Sequence, residues 1–290
     1  MEHILDISID GLKELGRGAT SIVYQLDDEK IIKVYYPWMK REDIEKERNS
    51  SRSAFIKGIP TAITFHLARV GDSFGVIYEL VDADTLAGAM GREPGQMEHY
   101  AREAAGILGK LHHTVYNKGE LPDTRDSWWK LYEMGLNRFL SDEEGNRIHE
   151  MIYGLPERNT FIHGDYHAFN IMVRNGELIL IDVGDASAGD PVLDLACTYM
   201  ACMILPEQSK LKHTKNLVLS PEEWKQFWRV FFDRYMELEE MESGKDLYEK
   251  KIERFALLRM SITRALIPGM TDDEKKESIR LLIDRVLEEE

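Results

Sequence analysis

The segment FIHGDYHAFNIMVRNGELILIDVG, residues 161–184, carries three polar features: a His-Gly-Asp knot, an Asn five residues past its Asp, and an apolar strand that ends in Asp-Val-Gly. In HGDYHAFN a loop can turn Asp165 and Asn170 into one cleft. There a carboxylate can orient a hydroxyl and take its proton, while the amide oxygen of Asn170 can hold a metal ion. Twelve residues after Asn170, Asp182 closes the strand LILI, where a carboxylate is expected to be buried on three sides and to need a cation. Magnesium demands hard oxygen ligands and shares them readily with nucleotide phosphates, which fits Asn170 together with Asp182. Taken singly, each of these residues is equally a turn-forming Asp or Asn. It is their combination that sets the segment apart.

Towards the N-terminus the chain reads as mostly β over its first eighty residues. ILDISI, LKELG, SIVYQL and KIIKVYY are short, partly alternating runs separated by turn residues, and they suggest an antiparallel meander. The turn LGRGATS places Gly16, Gly18 and Ser21 in a G-x-G-x-x-S arrangement, in which backbone N–H groups can approach phosphate oxygens without a Cβ in the way. A plain hairpin turn explains the same residues. Neither a P-loop nor a dinucleotide-binding turn fits, since the first needs Gly-Lys-Ser/Thr and the second a further glycine and a helix directly after it.

Lys33 sits inside the apolar strand IIKVYY, facing away from Ile32 and Val34. It either points to solvent or lies under the glycine turn to bind the α- and β-phosphates of a nucleotide. The second reading needs an orienting carboxylate, which the helical stretch Lys40 to Lys57 offers in Glu47, with Glu45 as the alternative. That helix stops at Gly58, and AITFHLARVGDSFGVIYELV follows as a hairpin.

Beyond Val81 the character changes to long helical patterns, which puts a boundary near Asp82 to Asp84 and divides the chain into an N-terminal lobe, 1–82, and a C-terminal lobe, 83–290. The fold class is therefore α+β. In the tail, PEEWKQFWRVFFDRYMELEEM lines Trp224, Phe227, Trp228 and Phe231 along one helix face, a core stripe.

Composition bounds the function. Lys plus Arg number 37 against 52 Asp plus Glu, a formal charge of −15 that repels nucleic-acid backbones and tolerates a cationic ligand. No apolar run approaches membrane-spanning length, and MEHILDISID lacks the pattern of a secretory leader, so the expected location is cytoplasmic, away from membranes. Cys197 and Cys202 are too few for a disulfide framework and read as reduced core thiols. Nothing in the sequence calls for an obligate protein partner.

In order along the chain, a glycine-rich hairpin, a strand lysine, a helix glutamate, H-G-D-x-x-x-x-N and D-x-G resemble the protein-kinase-like phosphotransferases, specifically the aminoglycoside phosphotransferase and choline kinase superfamily. The likeness runs from about Gly11 to Ala196. It implies a two-lobe fold, with a small antiparallel sheet plus one helix ahead of a larger, mainly helical lobe. It also implies ATP and Mg2+ as cofactors, Lys33 paired with Glu47 on the phosphates, Asp165 as catalytic base, and Asn170 and Asp182 on magnesium. Glu79 to Val81 would be the hinge whose backbone binds adenine, with His163 and Asp194 supporting the catalytic loop.

Two departures from protein kinases matter. Gly164, not Arg, precedes Asp165, and GDASAGDP runs almost directly into a helix, leaving little platform for a peptide. A small-molecule hydroxyl acceptor is therefore expected: an aminoglycoside, an amino alcohol such as choline, or a neutral sugar of the methylthioribose kind. Trp128, Trp129 and Tyr132 can stack on a sugar or hold a cation, although helix packing explains them as well, and Asp185 and Asp190 can bind amines. Two other classes stay open. A catalytically silent nucleotide-binding module would usually have lost the lysine, the catalytic aspartate or a metal ligand, and none is missing. A hydrolase would need a nucleophile elbow of the G-x-S-x-G kind, which the sequence lacks.

Overall fold

A computed structural model describes residues 4–18, 20–207, 219–241 and 243–288. In chain order the first elements are β1 (Leu5–Asp6), β2 (Glu14–Arg17), β3 (Ser21–Gln25), β4 (Lys30–Tyr35), α1 (Arg41–Ile56), β5 (Thr64–Val70), β6 (Ser73–Glu79) and β7 (Asp84–Thr85). There follow α2 (Leu86–Arg92), α3 (Met97–His113), α4 (Thr124–Leu131), α5 (Asp142–Tyr153), β8 (Phe161–Ile162), β9 (Ile171–Arg174), β10 (Glu177–Leu180) and β11 (Ser187–Ala188). The chain then continues through α6 (Val192–Tyr199), α7 (Pro221–Leu238), α8 (Lys245–Leu266) and α9 (Asp272–Leu287). No helix among the described residues is long and apolar enough to cross a membrane.

By internal contact the chain falls into two units. Unit one is residues 1–85 with 170–186, and unit two is residues 86–169 with 187–290. Unit one holds a six-stranded sheet in the order β1-β5-β6-β4-β3-β2. Its neighbours are antiparallel except β1, which pairs with β5 in parallel register, Leu5 opposite Ala68. The meander expected from the sequence therefore gains a parallel edge, formed by a two-residue strand whose partner lies some sixty positions along the chain. Alternation in β4 works as period two requires: Ile32 and Val34 join Ala68, Val70 and Ile77 on one face, while Tyr35 packs with Ile44 of α1 and Val76 on the other. α1 ends where Gly58 turns left-handed, φ 81°, and Ile59 N–H closes the last turn onto Ala54 O, the Schellman pattern.

The stretch 170–186 enters unit one because β9 pairs with β7 and β10, and because Thr61 bridges to Leu180. In unit two α3 packs on α7, and α8 on both α6 and α9. The aromatic stripe of α7 is buried as expected, Trp224, Phe227, Trp228 and Phe231 alike, and Ser220 with Glu223 caps its start in a reciprocal box. Cys197 and Cys202 are free and buried.

Candidate active site

Unit one brings three of the expected residues together. Lys33 points from β4 to the α1 side of the sheet, and its Nζ lies 2.8 Å from Glu47 Oε1 and 2.5 Å from Asp182 Oδ1. Its side chain is 15% exposed, which rules out the solvent-facing reading. Burial alone would lower the pKa of this ammonium, but the Asp182 and Glu47 carboxylates outweigh it and hold the group above the ordinary lysine value, fully charged. Glu45, the alternative partner, instead pairs with Arg41 one turn back on the outer face of α1. Behind the pair, burial and the Glu47 charge push the Tyr78 phenol up to about 12, so it stays neutral.

Glu47 reaches Lys33 across Gly184, the glycine of Asp-Val-Gly. A Cβ built there would lie 2.0 Å from Glu47 Cγ. This glycine is required for space and not for conformation, since its φ is not left-handed.

Asp182 corrects one expectation. It does not end its strand buried on three sides; its side chain is 52% exposed, and its residue adopts a left-handed φ of 59°. The cation it was expected to need is Lys33. Asn170 lies opposite Ile181, the residue before Asp182, at the end of the β9–β10 ladder, where Ile181 N–H donates to Asn170 O at 3.0 Å. Oδ1 of Asp182 is engaged by Lys33, and Oδ2 has no hydrogen bond among the described residues. A carboxylate oxygen and a side-chain amide oxygen are hard donors of the kind magnesium takes when phosphates complete its shell. Among the described residues no cluster of three or more His, Cys, Asp or Glu could hold an ion unaided.

The glycine turn joins β2 to β3, with Gly18 N–H donating to Ser21 O at 2.8 Å; Ala19 lies outside the described residues. Nothing stands within 4 Å of a Cβ at Gly16, and only Ser21 O approaches one at Gly18, so protein packing does not demand glycine at either place. Ser21 is buried and paired with Tyr35. At the end of β6, the Glu79 carboxylate receives Arg174 at 2.6 Å and Ile63 N–H at 3.2 Å. The Val81 side chain packs on Ala62 and Ile179, and none of the backbone hydrogen bonds of the described residues uses its N–H or carbonyl. Asp185 is exposed.

Unit two holds the His-Gly-Asp loop, and a buried carboxylate fixes it. Asp194, in the first turn of α6, accepts the N–H groups of His163 and Gly164, each at 2.8 Å, while His112 Nε2 stands 3.3 Å from the same group. His112 Nδ1 meets Tyr235 OH at 2.7 Å. At the start of the same helix Asp190 receives Val192 N–H and pairs with Arg158. Gly164 turns left-handed, φ 89°, and the Asp165 N–H donates to His163 Nδ1. Tyr166 OH donates to Ala104 O, and Thr198 donates to Tyr166 O, which anchors the far side of the loop.

The Asp165 side chain is 29% exposed, with His167 Nε2 at 3.3 Å from Oδ2 and Arg259 at 3.6 Å from Oδ1. Burial alone would raise its pKa, but His167 and Arg259 hold it well below the usual carboxylate range. His167, within the quoted motif, passed unremarked in the sequence. His112, Tyr235 and Arg259 have no local signal. Of the aromatic residues suggested for an acceptor, Trp128 is 2% exposed and edge-on to Phe255, Tyr132 is buried, and only Trp129, stacked on Tyr132, is partly exposed.

The sequence model of the phosphotransferase enzyme family matches residues 11–215. No curated protein matches the chain. Among solved structures, the amicoumacin kinase hAmiN in complex with AMP-PNP, Ca2+ and Ami is similar with a TM-score of 0.66 at 14% identity, over 98% of this chain and 90% of that one. The streptomycin–ATP ternary complex of APH(2″)-IIa gives 0.61 at 18% identity over 95% and 92%. An apo thermostable mutant of the aminoglycoside phosphotransferase APH(4)-Ia gives 0.61 at 13% over 96% and 96%. At these identities the likeness is one of fold.

Proposed function

Since the chain belongs to the phosphotransferase enzyme family and has the kinase-like fold its sequence implies, we propose that it transfers the γ-phosphoryl group of ATP to a hydroxyl of a small molecule. The observation that carries this reading is the Lys33–Glu47–Asp182 triad, a buried lysine held charged between two carboxylates from distant parts of the chain. Lys33 binds the α- and β-phosphates, with Glu47 fixing its direction. The open space over Gly16 and Gly18 gives phosphate oxygens room to approach, and the unused backbone groups of Val81 suit an adenine edge. Asn170 and Asp182 hold magnesium, which when bound neutralises phosphate charge. Asp165 orients the acceptor hydroxyl and takes its proton. Such in-line transfer asks for positioning and charge neutralisation, and needs no covalent nucleophile.

For the acceptor, a cationic polyol such as an aminoglycoside or an amino alcohol is supported by the charge of −15 and by the streptomycin complex of a similar structure. A neutral sugar is the second reading, favoured by the cations Arg259 and His167 beside Asp165. A cytoplasmic location accords with either. The test is ATP consumption against a panel of aminoglycosides, amino alcohols and sugars, with and without magnesium. Magnesium-dependent turnover on one class is expected, lost by about 10²–10⁴-fold in Asp165→Asn while ATP still binds. Nucleotide binding with no turnover on any acceptor would point to a silent binding module.

A further inference from the structure

We propose that Arg259 is a positioning residue for phosphoryl transfer, clamping the Asp165 carboxylate from α8 while His167 holds it from within the loop; the kinetic part of this rests on the kinase reading of Asp165. The geometry is specific. Arg259 lies on α8 between the buried Leu258 and Met260, and its own side chain is 15% exposed. The guanidinium sits 5.9 Å from the centroid of the Trp128 ring and 3.6 Å from Asp165 Oδ1. Trp128 is itself fixed edge-on against Phe255, one turn before Arg259 on the same helix. An aromatic face steers a planar guanidinium far better than an ammonium, so Trp128 sets where the Arg259 charge falls. The ring suggested for an acceptor thus serves the catalytic loop.

The two cations divide the carboxylate between them. Arg259 faces Oδ1 and His167 Nε2 faces Oδ2, so the group can neither rotate nor lose its charge without giving up a partner. Each carboxylate oxygen has about two acceptor sites, so an acceptor hydroxyl can still approach the 29% of the side chain that is exposed. A buried ion pair that merely neutralised Asp165 would affect stability alone. A positioning pair also sets the angle at which the carboxylate meets the hydroxyl, and therefore acts on kcat.

Two measurements on the full chain test this. The first is a thermal-melt cycle over Asp165→Asn, Arg259→Gln and the double variant, which needs no acceptor. Asp165→Asn is expected to lower Tm in the native background by at least about twice as much as in Arg259→Gln, because only in the former does it take the carboxylate away from a buried guanidinium. Additive Tm changes would overturn the clamp. The second is turnover with whichever acceptor the panel yields: Arg259→Gln is expected to lower kcat by about 10–100-fold with the ATP KM unchanged, and Arg259→Lys to recover part of it. Native kcat in Arg259→Gln would overturn the positioning role. If no acceptor is turned over, the kinase reading fails and the positioning role with it, while the melts still decide whether the clamp exists.

Discussion

At the residue scale, the site is a set of charges held by other charges, which gives it a defined response to pH. Asp165 is lowered below its ordinary 3.8, so its pairing contributes stability above that value and loses it as pH falls towards the folded one. His167 is raised above its ordinary 6.5: burial opposes this, and the Asp165 charge outweighs burial. Its contribution is therefore complete below 6.5 and is lost as pH rises through the raised value. The pair should be strongest between the two ordinary values. Urea midpoints at about pH 5.5 and 8.5 are expected to fall more on the alkaline side for the native chain than for His167→Gln. Equal falls would mean the pair adds nothing. Lys33 and Asp182 were legible as residues, because a charge inside an apolar run or at the end of a strand is conspicuous; Glu47 was read with Glu45 as its alternative on a charge-dense helix, and Asp194 through the resemblance. The local setting of Asp182 was not legible, since its left-handed backbone turns it outward, and Arg259, Tyr235 and His112 look like ordinary helix residues until the helices meet.

At the element scale, α1 is held against the turn after β10 by a missing side chain. Gly184→Ala would place a methyl group where Glu47 now lies, and is expected to cost about 1–3 kcal/mol as an overpacked contact and to weaken nucleotide binding by disturbing the Lys33–Glu47 pair. Adding Glu47→Ala should remove the clash, so the double variant is expected to be more stable than the sum of the two single changes. Denaturant melts check this, and strict additivity would show that Glu47 does not need the space. The hairpin β5–β6, the stop of α1 at Gly58 and the α7 stripe were readable because each follows a local period or a turn residue. The parallel pairing of β1 was not, because two residues carry no period and their partner is far along the chain.

At the scale of the whole molecule, the sequence suggested one boundary near residue 82, whereas contacts assign residues 170–186 to the first unit. That assignment rests on β9 meeting β7 and on Thr61 meeting Leu180, pairings between distant segments that no local pattern encodes. The quoted segment therefore spans both units: Asp165 belongs to the second, Asn170 and Asp182 to the first. Within unit two, the Asp194 carboxylate has a kinetic consequence. Its two acceptor bonds bury the amide protons of His163 and Gly164, so these should exchange with deuterium only through openings that dismantle α6. They are expected among the slowest amides of the unit, and Asp194→Asn should speed them by at least about tenfold, read by hydrogen–deuterium exchange. The loop proposed to do the chemistry would then be among the last parts of its unit to come apart. On slow heating, the loop would keep its conformation until unit two melts as a whole, a ceiling set by global unfolding and not by local fraying.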